Sequence, residues 1–204
     1  MAKGKLRKGK QGGSLGHDTG VVRVIGGAWR SRRISFPANQ QIRPTPDRVR
    51  ETLFNWLGQN LDGWCCLDLF AGAGALGFEA ASRGASRVTL VDNNARVVDA
   101  LANSKRLLGA DQVNVVKADA LEFLSRDGNT YDLVFLDPPF SNGPPVKIMS
   151  ILAKKAKAGA MVYFESAEIF LPVTDWRIVK QGRAGMVHFQ LLQLVESPIP
   201  MDSK

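Results

Sequence analysis

The sequence predicts an α/β fold with a mostly parallel, doubly wound sheet. From residue 64 onward, short apolar segments of strand composition alternate with longer segments of helical periodicity. Several of the apolar segments contain or end in an aspartate, and a glycine-rich turn follows the first of them. In folds of this kind, ligands bind beyond the carboxyl ends of the strands.

Two N-terminal segments are predicted to precede this domain. Residues 1–20 are rich in Gly and Lys and almost without apolar side chains, so we expect a disordered basic tail. Residues 21–42 are predicted to form a β-hairpin extension. Its strands lie at 21–25 and 28–34, and Gly26–Gly27 forms the tight turn between them.

The second strand of the predicted hairpin is basic. Alternation along it would place Arg30 and Arg32 on one face and Trp29 and Arg33 on the other. A ribbon with arginines and an aromatic ring is suited to phosphates and exposed bases. Arginines on an edge strand also serve to prevent aggregation, which is the alternative interpretation.

The main domain is predicted at residues 43–197, with a flexible C-terminus at 198–204. It begins with a helix in RPTPDRVRETLFNWL, for which Thr45 is the expected N-cap and Pro46 the first helical residue. Val49, Leu53 and Leu57 repeat every four residues and predict its buried stripe.

The remaining elements follow the alternating pattern. Strands are predicted at 64–70, 87–92, 113–119, 131–137 and 160–165, and helices at 75–83, 95–108, 121–126 and near 145–157. After residue 172 the pattern changes to two longer strands, 176–180 and 186–195, joined by the turn QGRAG. They predict a C-terminal antiparallel hairpin at one edge of the sheet.

The charge of the chain is concentrated in its N-terminal part. Residues 1–60 hold 12 Lys or Arg and 3 acidic residues, a net charge of +9. The remainder holds 15 and 16, a net charge of −1. A basic part beside a neutral one predicts a polyanion-binding surface attached to a catalytic or ligand-binding body. For residues 1–10 alone, a solubilising tail explains the charge equally well.

Composition also limits the partners. No apolar run approaches the ~20 residues that a membrane-spanning helix needs, so we expect no membrane partner. Cys65 and Cys66 are adjacent in a predicted strand. We expect them to pack in the core in a reducing compartment, because neighbours rarely form a bridge and two cysteines cannot complete a structural zinc site.

The turn LDLFAGAGALG indicates a nucleoside ligand. Gly72, Gly74 and Gly77 form G-x-G-x-x-G, and Asp92 follows Gly72 by twenty residues at the end of the next strand. Glycines let the backbone approach a ligand, and the Asp92 carboxylate is suited to the two hydroxyls of a ribose.

Asp68 indicates which nucleoside this is. A carboxylate four residues before the first glycine would repel the pyrophosphate of NAD, whereas it would attract the ammonium and sulfonium groups of S-adenosylmethionine. Asp119, at the end of the third strand, is then placed to accept a hydrogen bond from an adenine amine. The alternative is that Asp68 is a satisfied turn carboxylate.

The stretch YDLVFLDPPF ends a buried strand in a carboxylate and two prolines. The Asp137 carboxylate and the Pro138 carbonyl are two rigidly held acceptors, suited to the hydrogens of an exocyclic amine during methyl transfer. Phe140 would stack on a flipped-out base. The alternative is a strand stop followed by a core aromatic. No catalytic histidine is expected, since His17 lies in the tail and His188 in the late hairpin.

Four sequence blocks, in order, resemble the RsmD-type 16S ribosomal RNA (guanine-N2)-methyltransferases. They are GGAWR, RPTPDRVRETLFNWL, LDLFAGAGALGFEA and FLDPPF, and the resemblance covers about residues 21–195. It implies a Rossmann-like class I methyltransferase that uses S-adenosyl-L-methionine, with an N-terminal hairpin that engages RNA. It also implies methylation of one guanine N2 in the head of the small ribosomal subunit.

The resemblance and the motifs together give the candidate site residues. Asp137, Pro138, Pro139 and Phe140 are expected to be catalytic. The expected cofactor residues are Asp68, Phe70, Gly72, Gly74, Asp92, Asn93, Asp119, Ala120 and Thr45. The expected RNA-binding residues are Arg23, Trp29, Arg30, Arg32, Arg33, Arg43 and Arg48.

The expected partner is ribosomal RNA or the small ribosomal subunit, bound by a monomer without a metal. The expected location is the cytoplasm, with an organelle matrix or stroma as the alternative because of the basic tail. Two other functions stay open. One is another planar-nitrogen methyltransferase, acting on adenine N6 of DNA or RNA or on glutamine N5 of a protein, because related motifs serve all three. The other is a non-catalytic RNA-binding assembly factor.

Overall fold

A computed structural model describes residues 19–38, 42–138, 146–172 and 175–195 of this chain. The predicted tail at 1–20 and C-terminus at 198–204 therefore lie almost wholly or wholly outside the described residues. In the described part, the strands are β1 (Thr19–Arg23), β2 (Arg33–Pro37), β3 (Cys65–Asp68), β4 (Arg87–Asp92), β5 (Val113–Lys117), β6 (Tyr131–Leu136), β7 (Ala156–Ser166), β8 (Trp176–Ala184) and β9 (Val187–Leu194). The helices are α1 (Asp47–Trp56), α2 (Ala75–Ser82), α3 (Ala95–Leu108), α4 (Ala120–Arg126) and α5 (Val146–Lys155).

The central sheet confirms the predicted fold. Among the described residues it has seven strands in the order β5-β4-β3-β6-β7-β9-β8. Neighbours among β3 to β7 are parallel, and β9 runs antiparallel to both β7 and β8 at one edge. The connection that follows β5 crosses the sheet to β6 on the other side of β3. The carboxyl ends of β3 and β6 therefore border the crevice in which such folds bind ligands.

Helices cover both faces of this sheet. Along β6, Leu133 and Phe135 belong to one hydrophobic cluster, and Val134 and Leu136 to another on the opposite face. The first cluster includes buried residues of α1, α2, α3 and the N-terminal hairpin, and the second those of α4 and α5. Continuous burial explains why β6 is apolar without alternation. None of the helices in the described part of the chain is long and apolar enough to cross a membrane.

The N-terminal hairpin differs from its prediction. The strands β1 and β2 pair in register, but residues 27–29 form a 3-10 turn instead of the start of a strand. The second strand therefore begins at Arg33 rather than at residue 28. Gly27 has a φ of +70°, and a Cβ there would lie 1.9 Å from the Ser82 carbonyl oxygen, so this turn is pressed against α2. Residues 29, 30 and 32 are therefore not in a strand, and the predicted assignment of these residues to the two faces of a strand is wrong.

Three other element boundaries also differ. Pro46 rather than Thr45 occupies the N-cap position of α1, and no side chain caps this helix end. The Thr45 hydroxyl instead donates to Glu165 Oε1 at 3.1 Å. α5 ends at Lys155 and β7 begins at once, four residues before the predicted strand. β8 continues through most of the predicted QGRAG turn. The buried stripe of α1 is confirmed.

Candidate active site

Acidic residues lie at the carboxyl ends of adjacent parallel strands. Asp68 ends β3 and pairs with Phe135 of β6, which in turn pairs with Tyr163 of β7. Asp137 and Glu165 each follow two residues later on their own strands. Because side chains alternate along a strand, all three carboxylates are on the sheet face that carries α1 and α2. This face therefore concentrates negative charge at the crevice edge.

Asp68 lies at the centre of the crevice. It is 4% exposed, and its Oδ2 accepts a hydrogen bond from Gly77 N at 3.1 Å. Burial raises the pKa of Asp68 to about 7, the charge of Asp92 adds to the rise, and the backbone N–H groups of Gly77 and Phe70 oppose it. Among the described residues, no Lys or Arg forms an ion pair with Asp68, Asp137 or Glu165. The site thus fits a cationic ligand, which would supply the missing positive charge.

The glycine-rich turn brings α2 close to the sheet. Gly74 precedes α2 with a φ of +74°, and a Cβ there would lie 2.6 Å from Leu101. A Cβ at Gly77 would lie 2.1 Å from Leu90 and 3.2 Å from Asp68 Oδ2. These two glycines therefore allow the helix to begin directly above the carboxylate, which fits the packing role of such motifs.

Asp92 holds the same turn from the next strand. Its Oδ2 accepts from Gly72 N at 3.0 Å and its Oδ1 from Asn94 N at 2.9 Å. Each carboxylate oxygen has a further acceptor position, which suits the two hydroxyls of a ribose. The neighbouring Asn93 is exposed and Phe70 is half-buried.

Asp119 has a structural role that the sequence did not predict. It is the N-cap of α4, and its Oδ1 accepts from Leu121 N at 2.8 Å and from Glu122 N at 3.1 Å. The residue is exposed, and Ala120 beside it is buried. A contact between Asp119 and an adenine amine stays a prediction.

Asp137 and Pro138 follow β6 directly. Asp137 is half-buried and Pro138 is buried. Burial, followed by the charges of Glu165 and Asp68, raises the pKa of Asp137 well above its usual range. Pro139 and Phe140, the other two predicted catalytic residues, lie outside the described residues.

Glu165 is a member of this acidic group that the sequence interpretation missed. It is 7% exposed, and its Oε1 accepts from Tyr163 Oη at 2.8 Å and from Thr45 Oγ1 at 3.1 Å. Burial raises the pKa of Glu165, and these two hydrogen bonds oppose the rise. A usable signal was present, because YFE ends an apolar strand in a carboxylate as FLD and LVD do.

A groove opens beside this acidic group. It has a volume of about 500 Å³ and lies between the hairpin and the segment that leads into α1. Arg23 and Arg33 contribute charge to it, and Thr45 lines it while bonding to Glu165. Arg23 Nε also pairs with Asp47 Oδ2 at 2.8 Å. The groove therefore places two arginines near Thr45, the residue that bonds to Glu165.

The other predicted RNA-binding residues divide into two groups. Trp29 and Arg32 help to attach the hairpin. Trp29 is half-buried against the core and its backbone N donates to Ser82 Oγ at 2.9 Å, while Arg32 Nη2 donates to the Leu107 carbonyl at 2.9 Å. Those with exposed side chains and no such attachment are Arg30, Arg33, Arg43 and Arg48. RNA binding by either group stays a prediction.

A buried ion network joins the hairpin to the helices and was not predicted. Glu79 in α2 is fully buried and pairs with Arg50 Nη1 at 3.3 Å and with Arg83 Nη2 at 2.8 Å. Its Oε2 also accepts from Ile25 N in the hairpin at 2.8 Å. Arg50, itself fully buried, pairs with Asp47 at 2.6 Å. The sequence placed these residues on helices, but it did not place the helices next to one another.

Two further features concern metals and thiols. Within the described ranges, no group of three or more His, Cys, Asp and Glu is arranged to hold a metal ion. Cys65 and Cys66 are free thiols, and Cys66 is buried as expected.

Known proteins are similar to this chain over most of its length. A family model described as conserved hypothetical protein 95 matches residues 22–193. A ribosomal RNA small subunit methyltransferase D from Escherichia coli K12 is 39% identical over 180 residues, covering 86% of this chain and 91% of that protein. The protein of the same name from Haemophilus influenzae is 37% identical over 182 residues, covering 85% and 94%.

Solved structures agree with these relatives. A putative methyltransferase, yhhF, from Escherichia coli has a TM-score of 0.77 at 39% identity and covers 86% of this chain and 98% of its own. An RNA methyltransferase from Salinibacter ruber, in complex with S-adenosyl-L-homocysteine, has a TM-score of 0.61 at 21% identity. It covers 79% of this chain and 99% of its own, and at that identity it supports the fold alone.

Proposed function

This chain belongs to the RsmD family, the family of the conserved hypothetical protein 95 model, and from that premise we propose that it methylates the N2 amine of a guanine in small-subunit ribosomal RNA. The methyl donor is S-adenosylmethionine. Relatives named ribosomal RNA small subunit methyltransferase D support the reaction and the RNA class. The observation that carries the proposal is the acidic crevice, in which no Lys or Arg of the described residues pairs with the carboxylates and in which Asp137 and Pro138 follow β6.

The described residues divide the work between cofactor and base. Asp68 would face the cationic part of the cofactor, and Asp92 with the Gly72 backbone would hold its ribose. When bound, S-adenosylmethionine would supply an electrophilic methyl carbon. The base would enter from the groove between the hairpin and α1.

Asp137 and the Pro138 carbonyl act on the amine. By accepting its two hydrogens, they hold the N2 lone pair out of conjugation with the ring and aim it at the methyl carbon. On methyl transfer the lone pair would form the new N–C bond, while the cofactor sulfur would keep the electrons of its C–S bond. The Asp137 carboxylate would stabilise the positive charge that grows on N2. One N2 proton then leaves to Asp137 or to water, and the raised pKa of Asp137 suits it to this role.

The proposal is tested by methyl transfer from radiolabelled S-adenosylmethionine. The acceptors are unmodified small subunits, naked 16S RNA, DNA and a protein release factor, with nucleoside digestion to locate the label. Label in N2-methylguanosine is the expected result. Label in N6-methyladenine or in glutamine would overturn the guanine assignment. Tight RNA binding without label in any acceptor would leave a non-catalytic assembly factor.

The same assay addresses the form of the substrate. A small enzyme with one short basic hairpin has little surface for reading sequence, so we propose that it prefers an assembled or assembling subunit to naked RNA. We further propose that the protein is a monomer. The named relatives are bacterial, and we propose that the protein acts in the cytoplasm. Sedimentation of the purified protein measures whether it is a monomer.

Cofactor affinity should depend on pH through Asp68. Burial raises the pKa of Asp68 to about 7, and a bound cation would stabilise the ionised form. Below pH 7 the cofactor must therefore expel a proton, so its affinity should rise about tenfold per pH unit from pH 5 to 7 and then level off. Titration calorimetry in buffers of different ionisation enthalpy measures the proton release.

Asp68→Asn should bind the cofactor more weakly and lose most of this pH dependence. Asp111→Asn is the matched control. Asp111 is exposed and precedes β5, so it lies where the parallel strands begin and not at their carboxyl ends, where Asp68 lies. The charges facing Asp68 include Asp92 and Asp137, and any slope left in Asp68→Asn would belong to Asp137, whose pKa is also raised. An unchanged slope in Asp68→Asn would contradict the role of Asp68.

RNA binding should depend on salt through the exposed arginines of the hairpin. Replacing Arg30 and Arg33 with Ala should reduce the log–log salt slope of RNA affinity by up to about 2, because each phosphate contact releases counterions. Arg30 and Arg32 would be the obvious pair from sequence, but Arg32 also attaches the hairpin to Leu107. Filter binding across a salt series gives the slope.

A matched double variant removes the same charge elsewhere. Arg126 and Arg177 are exposed on α4 and on the edge strand β8, far from the hairpin. Their replacement by Ala should leave the slope unchanged. Equal slopes in the two double variants would move the RNA surface away from the hairpin.

A further inference from the structure

Glu165 stands next to the predicted catalytic aspartate. Parallel pairing places Leu136 of β6 beside Phe164 of β7, and the next residues along the two strands are Asp137 and Glu165. Adjacent strands lie about 4.8 Å apart, so two side chains on the same face at this level can reach one small ring. The charge of Glu165 is also among the causes that raise the pKa of Asp137, which agrees with this closeness.

Burial raises the pKa of Glu165, and its two hydrogen bonds oppose that rise and fix the direction of the carboxyl group. Tyr163 Oη and Thr45 Oγ1 both donate to Oε1, and both donors are held by the fold. Tyr163 packs edge-on against Phe135 with ring centroids 6.4 Å apart, and Thr45 is 6% exposed. Among the described residues, none donates a hydrogen bond to Oε2. Glu165 therefore offers a fixed acceptor oxygen beside Asp137, at the level of the groove that Thr45 lines.

The donors and acceptors of the RNA bases indicate which base two adjacent acceptor groups would select. Guanine alone among the four RNA bases has its exocyclic amine next to a ring N–H. In adenine and cytosine, the ring nitrogen beside the amine is an acceptor with a lone pair. An amine held by Asp137 would bring that neighbouring ring position to Glu165. A carboxylate there would accept from N1–H of guanine and repel the lone pair of the other two bases.

We propose that Glu165 is the specificity-determining residue for guanine, accepting a hydrogen bond from N1–H while Asp137 accepts from the N2 amine. The inference rests on the proposed function and adds the means by which that site rejects adenine and cytosine. Thr45 and Tyr163 are positioning residues, because they fix the Glu165 carboxylate without reaching the base. This also explains why the Thr45 hydroxyl faces β7 instead of capping α1.

The test uses a substrate base that lacks the N1 hydrogen, together with O6. A 16S RNA is assembled by ligation with 2-aminopurine riboside in place of the guanosine that the enzyme methylates. This analogue keeps the N2 amine but has a lone pair at N1. The wild-type protein should methylate guanosine over 2-aminopurine by at least about 10²-fold in kcat/KM, as expected when a buried polar group is left unpaired.

Glu165→Gln should bring this ratio below about tenfold. The amide can donate to the N1 lone pair of 2-aminopurine, whereas the carboxylate cannot. Tyr163→Phe is the matched control, because it removes one donor to Oε1 and keeps the carboxylate. It should retain the wild-type preference for guanosine even where its rate is lower.

Each outcome of these measurements supports or overturns the proposed role of Glu165. A wild-type protein that methylates 2-aminopurine as well as guanosine would overturn the inference without any variant. If a folded Glu165→Gln variant methylated guanosine and 2-aminopurine more slowly by the same factor, the ratio would be unchanged. Glu165 would then only support the segment that contains Thr45, and the inference would be overturned. Absence of label on the guanosine RNA itself, in naked and subunit form, would overturn the proposed function, and this inference with it.

Discussion

Asp137→Ala should lower kcat by about 10²–10³-fold while cofactor affinity changes little. Under the proposed function, the carboxylate would meet positive charge that exists on N2 only as the methyl group is transferred, so its loss should raise the barrier more than it weakens ground-state binding. Truncation also removes one of the acidic neighbours of Glu165. The measurements are single-turnover methyl transfer at saturating RNA and calorimetric titration with S-adenosylmethionine.

Two further variants make this result specific. Asp111→Ala removes an exposed carboxylate at the opposite sheet edge and should retain wild-type rates. Asp137→Asn keeps one acceptor oxygen without the charge and should fall between Ala and the wild type. A loss of cofactor affinity equal to the loss in kcat would assign Asp137 to cofactor binding instead of the transition state.

Glu79→Ala should lower the free energy of unfolding by about 3–5 kcal/mol. Removing one partner of a buried ion pair leaves buried positive charge poorly compensated. Here Arg50 and Arg83 lose their shared partner, and Arg50 keeps only its pair with Asp47. The hairpin also loses the acceptor of Ile25 N. Urea unfolding followed by far-ultraviolet circular dichroism gives the midpoint and slope.

An exposed pair provides the comparison. Glu122 and Arg126 in α4 pair at 2.8 Å, with side chains 50% and 78% exposed. Because water screens exposed pairs, Glu122→Ala should cost no more than about 0.5 kcal/mol. If Glu79→Ala came within 1 kcal/mol of this control, the buried network would not be what holds the N-terminal elements to the domain.

Local signals explain where prediction from sequence succeeded. The bounds of α3 are those predicted, because Asn94 caps its first turn and Gly109, with a φ of +65°, ends it. The strands β4 and β6 were recognisable from their apolar runs. The glycine turn and the strand-final aspartates located the crevice, since parallel strands must end at a common edge.

Distant contacts explain where it failed. Thr45 has the sequence of an N-cap, but its hydroxyl bonds to Glu165, 120 residues away. Gly26–Gly27 resembles a two-residue hairpin turn, but the packing of Gly27 on Ser82 converts the following residues to a 3-10 turn. Arg50 looks like a surface arginine of an amphipathic helix and is instead fully buried on Glu79. In each case the partner is far along the chain, where no local pattern reports it.

The attachment of the hairpin to α2 has a consequence for target choice. α2 carries the glycine turn at its N-terminal end and, through Glu79 and Ser82, the hairpin toward its C-terminal end. The eight residues of α2 span about 12 Å, and this helix sets the distance between the glycine turn and the hairpin. The hairpin and the crevice are therefore held at a fixed separation. Under the proposed function, we expect the protein to accept only RNA in which a phosphate and an extruded base lie at that same separation.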